Sequence, residues 1–384
     1  MKKRIGIVAG TRPEVIKMAM LYLNMKKSKK LKPIFISTAQ HRQMLDSALK
    51  IFGIKPEFDM DIMRSGQTLT DLTSRLLQAW QNFYKAQKLD AILVQGDTTT
   101  VLASAISAFY ERVPIGHVEA GLRTGNMRSP FPEEMNRRLT TPLSTWNFCP
   151  TKLSCENLLR ENVRKDSIFL VGNTVIDSLL HISNALNSSK FTPDNLVKKY
   201  KIPKTFAKNY ILKENSKFIL VTGHRRENFG IGFENICNSI KSILEKYHDF
   251  GVLYPVHLNP NVQGPVYKIL GNNDRIALIP PMEYVDFVYA MKRCYFILTD
   301  SGGIQEEAPT MGKPVFIMRD TTERPEGVIS GTCELVGTNS KNILHAVSKL
   351  MSPSEYKKRC SIKNPYGDGH SADRIIDILE NTLE

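Results

Sequence analysis

Residues 295–309, YFILTDSGGIQEEAP, constrain the fold more than any other stretch because a strand, a turn and a helix follow one another directly. The first four residues are apolar, aromatic or β-branched, as in a short buried strand. A small-residue turn follows at 300–303, and a helix follows over 304–308, with Asp300 or Ser301 placed to cap it. This order predicts a parallel-sheet α/β protein.

The turn at 300–303 also has the chemistry of an anion site. Backbone N–H groups at a helix start and the positive end of the helix dipole point the same way, and glycines let a phosphate approach closely. Glu306 and Glu307 lie one helical turn later, where a carboxylate can reach a ribose hydroxyl. Two glycines alone favour an ordinary strand-to-helix turn, so the interpretation depends on the rest of the chain.

The same order of strand, turn and helix recurs at the scale of a domain. Residues 4–9 form an apolar strand before GTRPE, and residues 217–222 form another before GHRRE. A chain of 384 residues is long enough for two such α/β domains. We therefore predict an N-terminal domain over 1–172, a second domain over 173–368, and a closing helix over 369–384 that packs back on the first domain.

Composition narrows the function classes. A formal charge of +14 suits an anionic small substrate, and nucleic acid stays an alternative without a helix-turn-helix, zinc-finger or RNP pattern to support it. The six cysteines form no C-x-x-C pair, which indicates neither a zinc site nor a redox motif and fits a reducing compartment. The apolar run after Met1 is too short for a signal peptide, and no stretch approaches a membrane span. The expected location is the cytoplasm.

Cations follow two of the predicted strands. Arg12 and Lys17 come just after the first strand, where open α/β sheets bind ligands, and they suggest phosphate. His224 and Arg225 follow the strand at 217–222 and suggest a phosphate or acid/base site. The alternatives are solvated surface charge for the first pair and a structural histidine for the second.

Acidic residues follow strands in the first half. Asp97 ends QGD before a helix, and Glu119 ends a strand within GHVEAGLRTG. Glu133 lies in the first turn of another predicted helix. Helix capping and favourable dipole charge are the structural alternatives for Asp97 and Glu133. Three acidic residues in loops of the same predicted domain nevertheless suggest an acid/base set at one ligand site.

Further along, residues 280–287 can frame a pocket for a nucleotide base, and the charged loop at 319–326 places Arg324 near the predicted anion turn. With these, the motifs run through nearly the whole chain in a fixed order. They are GTRPEVIKMA, TAQHRQMLD, QGDTTT, GHVEAGLRTG, PFPEEMNR, GNTVID, TGHRRENFG, PVHLNPNV, LTDSGGIQEEAP, GKPVFIMRDTTERPEGV and NPYGDG. Together they resemble the non-hydrolysing UDP-N-acetylglucosamine 2-epimerases, bacterial and archaeal sugar-nucleotide enzymes.

The resemblance implies a glycosyltransferase-B-like fold of two Rossmann-like domains with the active site in the cleft between them, and neither a metal nor a nicotinamide cofactor. It implies that UDP lies mainly on the second domain. The diphosphate would contact Ser301, Gly302 and Gly303, the ribose Glu307, and the uracil Phe287 and the backbone near Met282. The residues around the phosphates and the sugar would be Arg12, Lys17, His224 and Arg324.

In the mechanism that the resemblance implies, a base removes the proton at C2 of the sugar while UDP leaves from C1. UDP then returns to the resulting 2-acetamidoglucal as a proton is delivered to the other face. The expected catalytic residues are Asp97, Glu119, Glu133 and His224, with the direction served by each left open. The UDP-ManNAc formed would supply ManNAc-type sugars for surface polysaccharide.

The resemblance also implies a second, activating site for UDP-GlcNAc. The residues that match or lie near it are Gln43, Gln67, Glu134, Arg225 and His257. Because members of the family are usually dimers, a homodimer is expected, with the UDP-sugar as the small-molecule partner.

Other activities stay open from the sequence. A hydrolysing epimerase would release free N-acetylmannosamine and UDP, and a related epimerase would act on a modified UDP-N-acetyl sugar. A retaining glycosyltransferase of the same architecture would need an acceptor, and the surplus of acids argues against it. A protein that only binds nucleotides has no use for an acid/base set.

Overall fold

The computed structural model describes residues 1–40, 42–188 and 191–383, so His41, Ser189, Lys190 and Glu384 lie outside the described residues. The described residues divide into two compact units. The first unit comprises Met1–Leu180 together with Tyr366–Glu384, and the second comprises His181–Pro365. Each unit is an α/β layer structure with its own parallel sheet.

In the described part of the first unit, seven strands form one sheet in the order β3-β2-β1-β4-β5-β6-β7, and all neighbouring pairs are parallel. The strands are β1 (Lys3–Ala9), β2 (Leu31–Ser37), β3 (Phe58–Asp59), β4 (Ala91–Gln95), β5 (Ile115–Val118), β6 (Trp146–Cys149) and β7 (Ile168–Leu170). The helices between them are α1 (Arg12–Met25), α2 (Arg42–Ile51), α3 (Leu69–Ala86), α4 (Thr99–Tyr110), α5 (Glu133–Thr140) and α6 (Lys152–Arg160), and α7 (Thr174–Ser188) follows β7 and contains the boundary between the units.

In the described part of the second unit, six parallel strands follow the doubly wound order β10-β9-β8-β11-β12-β13. The strands are β8 (Lys217–Thr222), β9 (Phe250–Pro255), β10 (Ile276–Ile279), β11 (Phe296–Thr299), β12 (Val315–Ile317) and β13 (Cys333–Leu335). The helices are α8 (Pro193–Lys199), α9 (Lys204–Phe206), α10 (Ile231–Lys246), α11 (Pro260–Leu270), α12 (Tyr284–Arg293), α13 (Gly302–Glu307), α14 (Pro325–Ser330), α15 (Ser340–Leu350) and α16 (Pro353–Cys360).

Both faces of the second sheet are buried, which explains why its strands are continuously apolar. On β11, Phe296 and Leu298 belong to the core cluster that includes α10, α11 and α15. Ile297 points the other way, into the cluster that includes α8 and α12. Successive side chains of a strand alternate between faces, so a strand covered on both faces needs an unbroken apolar run.

The order of each sheet determines which loops come together. In the first unit β1 lies between β2 and β4, and in the second unit β8 lies between β9 and β11. The winding direction reverses between β1 and β4 and between β8 and β11. The helices that follow these neighbouring strands lie on opposite faces of the sheet, so a crevice opens beyond the strand ends. The turns after β1 and β4 carry Arg12 and Asp97, and those after β8 and β11 carry His224 and Ser301.

The last helix, α17 (Ser371–Thr382), belongs to the first unit. Its first two backbone N–H groups, those of Ser371 and Ala372, donate to Asp177 at 3.3 and 2.8 Å. At its other end, the indole N–H of Trp146 donates to Thr382 Oγ1 at 2.8 Å. Buried apolar residues of α17, among them Ile375 and Leu379, complete the packing.

Three features of the two units are not evident from the sequence patterns. A short strand, β13, follows β12 and pairs with it at the sheet edge. The strand β3 is only two residues long. In the polar, lysine-rich segment at 183–203, Leu196, Tyr200 and Ile202 pack into the core of the second unit.

Candidate functional site

Glu119 is the most constrained carboxylate among the predicted catalytic residues of the first unit. It directly follows β5 and has a left-handed backbone (φ 66°), which non-glycine residues seldom adopt. Its carboxylate accepts hydrogen bonds from Lys17 Nζ and Gln95 Nε2, and from Asn173 Nδ2 at 3.4 Å. Backbone strain at a residue with three side-chain donors marks a site where position matters more than local stability.

Asp97 is tied to helix α5. Arg137 Nη2 donates to its carboxylate, and Asn136 Nδ2 donates to its carbonyl oxygen at 2.8 Å. Glu133 is the first residue of the same helix and is partly exposed. The turn of Asp97 also adjoins Glu119, since a Cβ on Gly96 would lie 3.6 Å from a carboxylate oxygen of Glu119. The three predicted acids therefore lie on adjoining elements.

His117 lies on β5, two residues before Glu119, and its side chain contacts the turn that carries Asp97. Its Nε2 lies 2.7 Å from the carbonyl oxygen of Gly96, and the side chain is fully buried. Burial lowers the pKa of His117 to about 4, so the ring is neutral at physiological pH and Nε2–H is the donor to Gly96. In the described part of the chain, its Nδ1 has no hydrogen-bond partner.

Glu14 supports the first strand-to-helix turn. It accepts from the backbone N–H of Gly10 at 3.0 Å and from the hydroxyls of Thr11 and Thr98, each at 2.7 Å. Burial raises the pKa of Glu14. Through Thr98 this carboxylate connects the turn that carries Arg12 to the turn that carries Asp97.

Asp300 holds His224 in the second unit. Its Oδ2 accepts from the backbone N–H groups of His224 and Arg225, each at 2.8 Å, and His224 Nδ1 lies 3.1 Å from its Oδ1. Burial raises the pKa of Asp300, but hydrogen bonding and charge from His224 outweigh it and lower the pKa overall. Of the two residues predicted to cap α13, Ser301 occupies the N-cap position, although its side chain makes no capping hydrogen bond.

Arg324 packs against the predicted anion turn at 300–303. A Cβ built on Gly302 would collide with the guanidinium of Arg324, so this side chain lies directly against the glycine backbone. A Cβ on Gly303 would meet nothing within 4 Å. Arg324 Nε donates to the carboxylate of Glu306 at 2.5 Å. The structure thus brings Ser301, Gly302, Gly303 and Arg324 together.

The predicted ribose and base residues lie nearby in the same unit. The Tyr284 hydroxyl donates to Glu307 Oε1 at 2.6 Å, which fixes that carboxylate. Met282 is buried, and the partly buried Phe287 packs against the same core cluster. Asp286, which directly precedes Phe287, accepts hydrogen bonds from Lys199 Nζ and the Tyr200 hydroxyl at 2.6 and 2.7 Å.

The residues predicted for a second, activating site differ in their surroundings. In the first unit, Gln43 is exposed, and Gln67 accepts from Arg75. Glu134 is fully buried and accepts from the backbone of Thr124 and from Arg137. In the second unit, Arg225 is partly buried, and the exposed His257 has its ring centroid 5.9 Å from that of His224.

Several residues of these sites were not predicted. In the first unit they are Glu14, Gln95, His117, Arg137 and Asn173, and in the second it is Asp300, which the sequence offered only as a helix cap. Glu306, named with Glu307 as a candidate for the ribose, instead binds Arg324. Gln95 and His117 had a signal, since each is a polar residue inside an otherwise apolar strand. The described residues contain no group of three or more His, Cys, Asp or Glu side chains arranged to hold a metal ion.

Comparison with known proteins identifies the family. The family model described as UDP-N-acetylglucosamine 2-epimerase matches residues 23–380. The chain belongs to the UDP-N-acetylglucosamine 2-epimerase family. A member from Escherichia coli K12, named UDP-N-acetylglucosamine 2-epimerase, is 50% identical over 380 residues, which cover 98% of each chain. Family membership and the α/β fold expected from the resemblance are confirmed.

Solved structures of the family match this chain along nearly its full length. The UDP-GlcNAc 2-epimerase from Neisseria meningitidis, bound to UDP-GlcNAc, superposes with a TM-score of 0.88 at 44% identity and covers 99% of this chain and 100% of its own. The Methanocaldococcus jannaschii enzyme in complex with UDP-GlcNAc and UDP gives 0.80 at 32% identity, with 98% and 99% covered. No helix within the described residues has the length and apolar character needed to span a membrane.

Proposed function

We propose that this protein reversibly converts UDP-N-acetylglucosamine to UDP-N-acetylmannosamine by inverting the configuration at C2. The observation that carries the proposal is the match to the epimerase family along almost the whole chain. Relatives solved with UDP-GlcNAc or UDP support a UDP-sugar as the substrate. An epimerase needs acid/base groups and anion-binding groups, and this chain carries both after strands of its sheets.

The first unit supplies the acid/base groups in this proposal. The C2 proton is not acidic, so its removal by a carboxylate must be coupled to departure of UDP from C1. The electron pair of the C–H bond then forms the double bond of 2-acetamidoglucal, while the electrons of the C1–O bond leave with UDP. Reversal with proton delivery to the opposite face gives the epimer. We assign this proton chemistry to Asp97, Glu119 and Glu133, with His224 as the candidate from the second unit.

The second unit binds UDP in this proposal. We assign the diphosphate to Ser301 and the backbone N–H groups of Gly302 and Gly303, and Arg324, which lies against Gly302, adds positive charge. Glu307 accepts from the ribose hydroxyls, and Phe287 with the backbone near Met282 contacts uracil. We assign Arg12 and Lys17 of the first unit to the same anionic substrate. Charge that builds on the leaving diphosphate is stabilised by these fixed donors.

An activating effect of UDP-GlcNAc is a separate part of the proposal. Gln43, Gln67, Glu134, Arg225 and His257 remain the predicted residues. The burial of Glu134 favours a role in supporting the turn at Thr124 and Gly125, because its carboxylate accepts hydrogen bonds from the backbone N–H groups of both residues. Cooperative initial rates with UDP-GlcNAc, and a need for it in the reverse direction, would support activation; hyperbolic rates in both directions would argue against it.

Proton NMR of UDP-GlcNAc with the purified protein in deuterated water tests the main proposal. Formation of UDP-ManNAc with deuterium at C2, and without free sugar, is the expected result. Release of UDP with free N-acetylmannosamine would instead assign the hydrolysing reaction. If UDP binds but UDP-GlcNAc stays unchanged, modified UDP-N-acetyl sugars are tested next, followed by glycosyl transfer to an added acceptor.

We also propose a homodimer and a cytoplasmic location, together with a role in supplying ManNAc-type sugars for surface polysaccharide. Six cysteines, all of them free thiols, support a reducing compartment. Light scattering coupled to size-exclusion chromatography measures the mass of the assembly, for which twice 43.5 kDa is expected. Cell fractionation tests the location.

A further inference from the structure

Glu306 is a buried carboxylate to which the proposed function gives no role in binding or catalysis. Its side chain is 1% exposed, and its cationic partner Arg324 is 17% exposed. The two form an ion pair with Arg324 Nε 2.5 Å from Glu306 Oε1. A carboxylate this deeply buried requires a partner, and a buried pair is by itself weak evidence for stability, so another role for the pair is worth testing.

Gly302 shapes the other side of the same guanidinium. It lies four residues before Glu306 on α13, so the two positions share one face of the helix. A Cβ on Gly302 would overlap the guanidinium of Arg324. The helix therefore constrains Arg324 at two positions. The glycine at 302 leaves room for the guanidinium, and the carboxylate at 306 binds it.

The loop that carries Arg324 has a separate anchor. The Thr322 hydroxyl donates to Gln305 Oε1 at 2.7 Å and accepts from the backbone N–H of Arg324 at 3.1 Å. Arg319 binds the neighbouring Glu323 at 2.9 Å. The main chain at Arg324 is thus held through Gln305, while Glu306 contacts the side chain at Nε. Arg324 Nη1 also lies 3.8 Å from Glu323 Oε2.

We propose that Glu306 is a positioning residue that holds the Arg324 guanidinium against Gly302, in the orientation that binds a phosphate of the UDP group. This inference rests on the proposed function, which supplies the diphosphate. A guanidinium is planar, so fixing Nε fixes the direction of both Nη groups, and such a preset fork binds phosphate better than a mobile one. The same fixed donors stabilise charge on UDP as it leaves, so Glu306 serves turnover as well as affinity.

Binding of UDP and of uridine to Glu306→Gln provides the test. Glutamine keeps the shape of the side chain but not its charge. We expect UDP to bind about tenfold more weakly, because a charge-assisted contact loses its geometry, while uridine, which has no phosphate, keeps its dissociation constant. Uridine affinity is measured by NMR titration and UDP affinity by calorimetry. In turnover, we expect kcat to fall together with kcat/KM.

A double-mutant cycle links the effect to Arg324. Arg324→Lys keeps the charge but not the fork, and should weaken UDP binding on its own. If Glu306 acts through Arg324, adding Glu306→Gln to Arg324→Lys weakens UDP binding little further. Glu245→Gln, a change of an exposed carboxylate on α10, is the matched control and should bind both ligands as the wild type does.

The outcomes separate the two proposals. If wild-type protein does not bind UDP, the proposed function fails. If it does, and Glu306→Gln retains its UDP affinity, or loses affinity for UDP and uridine equally, the positioning role fails. Should Glu306→Gln not fold, Glu306→Asp keeps the charge with a shorter reach, and the same selective loss for UDP over uridine is expected from it.

Discussion

Lys17 and Glu119 form an ion pair in the first unit, although they are 102 residues apart in sequence. Both side chains are largely buried, at 12% and 7% exposed. The sequence-based interpretation assigned Lys17 to the phosphates and Glu119 to proton transfer, without connecting them. The pair implies that Lys17 also keeps the Glu119 carboxylate in place when substrate is absent.

The pair predicts non-additive loss of activity. We expect Glu119→Gln to lower kcat by about 10²–10⁴-fold, as for loss of an acid/base group. Lys17→Gln should lower kcat as well, and the kcat of the double variant should be no lower than that of Glu119→Gln, since both changes disrupt one ion pair. Loss of the phosphate contact of Lys17 should raise KM. The exposed pair of Lys217 and Asp249 is the control, where both single changes should leave kcat unaltered. Independent, multiplying effects of Lys17→Gln and Glu119→Gln would contradict this account.

Asp97 is expected to affect turnover rather than binding. Asp97→Asn keeps the side-chain size and can still contact Arg137, but it cannot take a proton. We predict a loss in kcat of about 10²–10⁴-fold with UDP affinity nearly unchanged. Stopped turnover and retained calorimetric binding of UDP would support catalysis, whereas full turnover would remove Asp97 from the acid/base set.

Asp300 shows which features of the site can be predicted from the sequence and which cannot. Capping rules correctly placed it at the start of a helix, yet its side chain binds the amides of His224 and Arg225 instead. Those amides belong to the turn after β8, which is the sheet neighbour of β11. Local patterns predict strands, turns and helices, because these depend on residues close in sequence. They do not show which turns become neighbours, since that depends on strand order.

The same limit explains the support around Glu119. Its position at a strand end was predictable, but its donors Gln95 and Asn173 come from other elements. Buried polar residues in apolar strands such as Gln95 and His117 indicate a partner without naming it. The short strands β3 and β13 were missed because two or three residues carry too little periodicity to distinguish a strand from a loop.

His117 predicts acid sensitivity of the first unit. Its pKa is about 4 when folded and near 6.5 when unfolded, so between these values the unfolded chain binds the extra proton. The stability linked to His117 is fully present above pH 6.5 and decreases as the pH falls towards 4. The expected loss between pH 7.5 and pH 5.0 is about 2 kcal/mol.

Tryptophan fluorescence can measure this effect selectively, because both tryptophans of the chain, Trp80 and Trp146, lie in the first unit. Urea unfolding is followed at the two pH values. His117→Gln should be less stable at pH 7.5 but lose less stability on acidification, while the exposed His248→Gln should behave as the wild type. Equal acid sensitivity of His117→Gln and the wild type would exclude His117 as the source.

Gly302 predicts a steric effect on UDP binding. In Gly302→Ala the new methyl group overlaps the Arg324 guanidinium, so the side chain must move away from the anion turn. We expect UDP affinity to fall by about tenfold or more, since the displaced group is charged. Gly264→Ala is the control: this glycine also lies within a helix, and its Cβ would meet nothing within 4 Å. Comparable affinity in both variants would show that Arg324 adjusts without loss.

Because the apolar residues of α17 are buried in the first unit, we predict that residues of this C-terminal helix stabilise that unit. Ile375 is fully buried. Ile375→Ala should lower the free energy of unfolding by about 2–5 kcal/mol, through lost apolar contact and the cavity left behind. Because the tryptophans report on the first unit, their urea transition should shift to lower denaturant, whereas the exposed Asp377→Ala on the same helix should leave it in place. An unshifted tryptophan transition in Ile375→Ala would mean that α17 is not part of the cooperative core that its packing implies, since a buried isoleucine cannot be truncated without loss in a core that unfolds as one unit.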